Sequence, residues 1–204
     1  MKDYPKSLRE ESERIARRQL LSQKHMIRLV EFVNTIRREH PDKIICDFDP
    51  LDGGIHAECL YVLEAPGRKA RDSGFVSRSD DDETAKNFFE INDEVGISRR
   101  STITWNIVPW YAGTGKKIGV TKSLDIRAGL PLLHRLIDWL PRLRVIVLLG
   151  RKDQKVEPSI RLNDYDMDVI PCIHPSPLVM NRQGKRAILV NQLRQVRRTM
   201  ESLA

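Results

Sequence analysis

The chain of 204 residues is the right size for one domain around one core, since a single core serves up to roughly 250 residues. Hydrophobic residues at 40% and charged residues at 31% describe an ordinary globular protein, no run reaches the ~18 apolar residues of a membrane span, and the charged N-terminus lacks a signal peptide's apolar core, so a cytoplasmic, non-membrane protein is expected. The formal charge of +7 favours a polyanionic partner, and residues 178–204 concentrate it, with Arg182, Lys185, Arg186, Arg194, Arg197 and Arg198 against Glu201. Cys46, Cys59 and Cys172 are too dispersed for a metal pair or a disulfide framework and read as reduced and mostly buried.

Residues 6–39 repeat Met26, Leu29, Val30, Val33 and Ile36 at helical spacing, which predicts a long helix with a charge-rich early part. The acidic stretch Asp47, Asp49 and Asp52 lies among Pro50, Gly53 and Gly54; it lacks the ligand ladder of a calcium loop and reads as a solvated turn. Cys59 to Leu63 is a buried strand that stops at Glu64-Ala65-Pro66-Gly67-Arg68. Gly74-Phe75 is an aromatic on a loop, and the acidic group from Asp80 to Glu83 suits the N-terminus of a helix running to about Val95.

Thr102 to Val108 is a second strand, carrying Trp105-Asn106 before Pro109 stops it. The loop after it mixes Trp110, Tyr111, Gly113, Gly115, Lys116 and Lys117, a composition suited to nucleic acid, and it lacks the spacing of a phosphate-binding P-loop. A helix is expected over 130–140 with Pro131 in its first turn, then strands at Arg144–Leu149 and Asp168–Ile173, then a helix with the stripe Leu189, Leu193, Val196, Met200 and Leu203. Helices alternating with buried strands predict a three-layer α/β/α sandwich on a mainly parallel sheet of about four strands. Residues 1–42 are expected to form an N-terminal helical extension to an α/β domain spanning 43–204.

Three strands end in stiff or polar segments: Glu64 to Gly67, Trp105-Asn106, and His174-Pro175-Ser176-Pro177-Leu178. In a parallel sheet such ends converge on one edge, where ligands bind. There they would supply a carboxylate, an amide and an imidazole, with Phe75 as a stacking surface.

These segments resemble the uracil-DNA glycosylase superfamily over roughly Asp47 to Arg198. HPSPL at 174–178 looks like the leucine-loop motif of the best-known branch, and EAPGR at 64–68 looks like the first motif of the iron-sulfur-bearing branch; VIVLLGR at 145–151 and GF at 74–75 are similar in position. The resemblance implies hydrolysis of the N-glycosidic bond of a damaged base flipped out of single- or double-stranded DNA. Phe75 would stack on the base, and the Asn106 amide would pair with a pyrimidine's N3–H and O4. His174 would hydrogen-bond O2 as charge develops there, and Glu64 would orient water and oppose the oxocarbenium-like sugar. Leu178 would fill the gap in the stack, while Ser176, Arg182, Lys116 and Lys117 would touch the DNA backbone.

The chain departs from the family pattern at three neighbouring positions. Leu63 stands where the first motif begins with glycine, Ala65 where the best-known branch places its water-activating aspartate, and Gly67 where that branch has a bulky tyrosine that excludes thymine's methyl. The carboxylate chemistry therefore falls to Glu64, and the substrate range extends beyond uracil in expectation. The cluster cysteines are missing, so neither an iron-sulfur centre nor any other cofactor or metal is expected. A monofunctional enzyme is expected, with a monomer as the default, because no lysine falls within the matched motifs to form a Schiff base. The competing readings are a glycosylase for 5-modified uracil, hypoxanthine or xanthine, and a catalytically silent DNA-binding or damage-sensing module.

Overall fold

The computed structural model describes residues 3–113, 119–163 and 165–202. Lys116 and Lys117 lie outside the described residues. Six strands are present among them: β1 (Asp47–Phe48), β2 (Cys59–Leu63), β3 (Phe75–Val76), β4 (Thr102–Asn106), β5 (Val145–Leu149) and β6 (Asp168–Cys172). Four of them form one sheet in the order β4-β2-β5-β6 with every pairing parallel, and β1 pairs with β3 in a separate parallel ribbon. The register sets Leu63 beside Asn106 and Leu149 beside Cys172, so the strands finish at a common edge. Central runs such as Val145-Ile-Val-Leu-Leu149 are buried throughout, as a parallel sheet covered on both faces requires.

Side-chain alternation divides the core in two. Leu60, Val62, Ile103, Trp105, Ile146 and Leu148 face α2 (Ile27–Glu39) and α5 (Ser123–Asp138). Tyr61, Val145, Val147, Leu149, Ile170 and Cys172 face α4 (Glu83–Val95) and α8 (Lys185–Ser202), which contribute Phe88, Ile91, Leu189, Leu193 and Val196. The result is the three-layer α/β/α sandwich with a parallel four-stranded sheet. All three cysteines are buried and free. Among the described residues, no helix is long and apolar enough to cross a membrane.

The helix expected over 6–39 is broken into α1 (Glu11–Leu20) and α2, with a turn between them in which Gln23 O accepts from Met26 N at 2.8 Å. The break lets the two halves present different chemistry. The buried side chain of α1 is Arg17, which pairs with Asp49, whereas α2 buries Leu29, Phe32, Val33 and Ile36, and Phe32 meets Trp105 edge to face at 6.0 Å. This corrects the reading of the Asp47–Gly54 segment as solvated. Asp49 and Asp52 are buried because Arg99 reaches both, at 2.5 and 2.7 Å, and Arg17 also holds Asp49. Burial in apolar surroundings would otherwise be prohibitive for these charges.

Helix α5 begins seven residues earlier than expected. Lys122 N donates to the Asp125 carboxylate at 2.9 Å and starts it, so Pro131 falls inside the helix rather than in its first turn. Gly129 is required there: a Cβ on it would lie 2.0 Å from Ile107 O, just past the end of β4. Helix α4 starts as expected, with Asp82 accepting from Ala85 N at 2.9 Å.

Candidate active site

A cavity of about 520 Å³ opens at the edge where the strands finish, between the ends of β2 and β4, the short helix α3 (Arg68–Ser73) and the first turns of α4. Its wall includes Ala65, Gly67, Arg78, Thr104, Asn106 and His174. The β4 contribution follows from strand geometry. Ile103 and Trp105 point into the α2/α5 core, so Thr102, Thr104 and Asn106 line up on the other face as a polar row. Asn106 Nδ2 and Thr104 Oγ1 are both buried without a hydrogen-bond partner.

His174 follows β6 and closes the cavity with Pro175 and Pro177. Its Nδ1 accepts from Ser176 N at 3.1 Å, and Ser176 O accepts in turn from Val179 and Met180 N at 2.9 and 2.8 Å, which opens α7 (Pro177–Met180). Burial holds the ring's pKa below the usual histidine value. A neutral imidazole that accepts at Nδ1 carries its proton on Nε2, so the ring keeps a hydrogen-bond donor free. Asn87 Nδ2 donates to Pro175 O at 3.0 Å and ties the loop to α4.

Glu64 stands beside the cavity rather than in its wall, which Leu63, Ala65, Pro66 and Gly67 supply at this strand end. Its carboxylate pairs with Lys152 at 2.7 Å. The neighbour of Lys152 is Asp153, 2% exposed, with Oδ1 unpartnered. Burial, and then the Glu64 carboxylate, push the Asp153 carboxyl up to about 8. Gly150 makes this packing feasible: its φ is +127°, and a Cβ there would sit 3.0 Å from Asp153 Oδ2 and 3.4 Å from the His174 ring.

Among the expected site residues, Ala65, Gly67, Asn106 and His174 come together on one wall, with Glu64 adjacent. A Cβ on Gly67 would meet nothing within 4 Å, so the space beside this residue is open. Phe75 does not reach the wall. It is 1% exposed in β3 and is not among the residues that line the cavity, whereas Phe88 of α4 is. Ser176 serves the His174 loop through its backbone, Leu178 projects 81% exposed from α7, and Arg182 is exposed just beyond.

Sequence reasoning missed Arg78, Thr104, Lys152 and Asp153. The i, i+2, i+4 spacing of Thr102, Thr104 and Asn106 was the available signal for Thr104. Asp153 and Lys152 follow the VIVLLGR segment, but nothing in the chain's order shows that they fold back onto Glu64.

The crystal structure of Pedobacter heparinus SMUG2 is similar to this chain, with a TM-score of 0.52 at 11% identity over 88% of this chain and 86% of that one; at this identity the likeness shows the fold. A mimivirus UNG variant in complex with UGI matches with a TM-score of 0.38 at 12% identity, over 79% of this chain and 68% of that one. Among curated proteins, none matches the chain by sequence. The family model described as the uracil DNA glycosylase superfamily matches residues 51–197, which span the sheet, the cavity and the His174 loop, and the protein belongs to that superfamily.

Proposed function

We propose that the protein hydrolyses the N-glycosidic bond of uracil, or of a related damaged base, after the base leaves the DNA stack. The observation that carries this reading is the buried Asn106 amide, its Nδ2 without a partner, on the same wall as a neutral His174 with its Nε2–H free. The Asn106 amide offers a donor to O4 and an acceptor to N3–H of a pyrimidine. The His174 Nε2–H stabilises the negative charge that develops on O2 as the glycosidic bond breaks. Glu64 orients water and opposes the positive charge on the sugar, and Lys152 pairs with that carboxylate at 2.7 Å. The exposed Leu178 enters the gap left by the base, and Ser176 and Arg182 position the backbone.

A catalytically silent DNA-binding module is the second reading, and one observation favours it: Glu64 lies off the cavity wall and is engaged by Lys152. Purified protein incubated with single- and double-stranded oligonucleotides bearing uracil, 5-modified uracil, hypoxanthine or xanthine, followed by alkaline cleavage of abasic sites, decides between them. Strand cleavage that falls about 100-fold or more in His174→Ala and Glu64→Gln supports the proposal. Cleavage of no substrate while DNA remains bound establishes the silent module.

A further inference from the structure

Arg78 is 4% exposed, yet its guanidinium makes no ion pair among the described residues. The nearby carboxylates pair with other arginines, Asp49 with Arg17 and Arg99, and Asp3 and the Oδ1 of Asp52 with Arg99, while Asp52 Oδ2 has no hydrogen-bond partner and acts on Arg78 through its charge. Arg78 instead donates from Nη2 to Thr102 Oγ1 and lies over the rings of Phe88 and Tyr61, at 5.6 and 6.0 Å, while its Nε has no partner. A buried cation whose direct partners are a hydroxyl and two aromatic faces, with only the through-space charge of Asp52 and Asp3 to offset its burial, is an expensive arrangement for packing alone.

Its position gives it a use. Arg78 is part of the cavity wall, as are Thr104 and Asn106, and all three bear a buried polar atom without a partner. Each such atom is costly to bury unless a ligand satisfies it. The bond to Thr102 anchors the guanidinium at the inner end of the β4 polar row, four positions from Asn106, or about 13 Å along a strand. A cavity of about 520 Å³ is of the size that holds a whole small ligand and exceeds a single pyrimidine ring.

We propose that Arg78 is a specificity-determining residue of this cavity, favouring a flipped base that carries an anionic or carbonyl oxygen beyond the edge that Asn106 reads. The inference rests on the glycosylase reading for its substrate. A planar fork of donors suits such an oxygen, and a fixed positive charge in the cavity wall rejects an ammonium substituent.

The test uses oligonucleotides carrying 5-carboxyuracil or 5-aminomethyluracil, two substituents of opposite charge, under single-turnover conditions. The wild type is expected to excise the carboxyl base at least tenfold faster, and Arg78→Met to lower that ratio about tenfold while Arg78→Lys retains most of it. Leaving-group ability belongs to the base and cancels when variant and wild type are compared. A ratio in Arg78→Met within threefold of the wild-type ratio overturns the proposal. Calorimetry with free 5-carboxyuracil and free thymine needs neither catalysis nor a variant: tighter wild-type binding of the carboxylate supports the role of Arg78, and equal or weaker binding overturns it. Should the wild type excise no base, the glycosylase reading fails and this binding comparison still decides the role of Arg78.

Discussion

Asp153 is a carboxyl packed against the glycine that also backs the His174 ring, and its energetics are set by burial first and the Glu64 carboxylate second. With its folded pKa pushed up to about 8 from an ordinary 3.8, the folded protein holds a proton there that the unfolded chain releases above about pH 4. Stability contributed by this group therefore falls as pH rises from about 4 to about 8, and above that the folded state carries the full cost of a buried charge. Asp153→Asn removes the titration while keeping the shape. Its melting temperature is expected to exceed the wild-type value by a margin that widens from pH 5 to pH 9; a margin constant across that range would remove Asp153 from the pH dependence. His174 and Asn106 were legible in the sequence because prolines halt the chain beside them at strand ends. Arg78 and Asp153 were not, because a basic or acidic residue in a polar stretch gains meaning only when folding buries it.

Helix α5 illustrates a similar limit for whole elements. Its apolar stripe located the helix, but its start depends on one backbone-to-carboxylate bond at Asp125, and its close approach to the chain after β4 depends on Gly129. An exposed mid-helix Gly→Ala change stabilises by about 1 kcal/mol. At position 129 the added methyl would meet Ile107 O at 2.0 Å, so the sign reverses. Gly129→Ala is expected to destabilise by about 1–3 kcal/mol, read from the urea midpoint at unchanged m-value. Because Ile107 directly follows Asn106, excision should fall more than the loss of stability alone accounts for; a stabilised Gly129→Ala would show that the helix and strand end do not press together. The four strands of the main sheet were read to within two residues, since buried parallel strands announce themselves as short apolar runs, whereas the two-residue strands β1 and β3 were read as turn and loop. The break between α1 and α2 was invisible because no glycine or proline marks it; buried Arg17 and its distant partner Asp49 decide it.

Across the whole molecule, the net charge of +7 bears on DNA only where cations are free and near the cavity. Arg17 and Arg99 are spent inside the fold on Asp49 and Asp52, Arg186 is paired with Glu94, and Arg197 with Glu201. Arg68, exposed at the cavity mouth, and Arg182, exposed just past Leu178, lie where a flipped nucleotide's flanking phosphates would run. Each phosphate contact releases counterions and contributes about −0.9 to the slope of log K against log salt. Fluorescence-anisotropy titrations of an abasic duplex between low and physiological salt are expected to give a slope of about −2 or steeper, with Arg182→Ala and Arg68→Ala each flattening it by about 1. Arg197→Ala, which breaks a pair on the far stretch of α8, should leave the slope unchanged. Equal flattening by all three variants would mean that overall charge draws the DNA in, whereas flattening confined to Arg68 and Arg182 places the phosphate path across the cavity mouth, alongside Leu178.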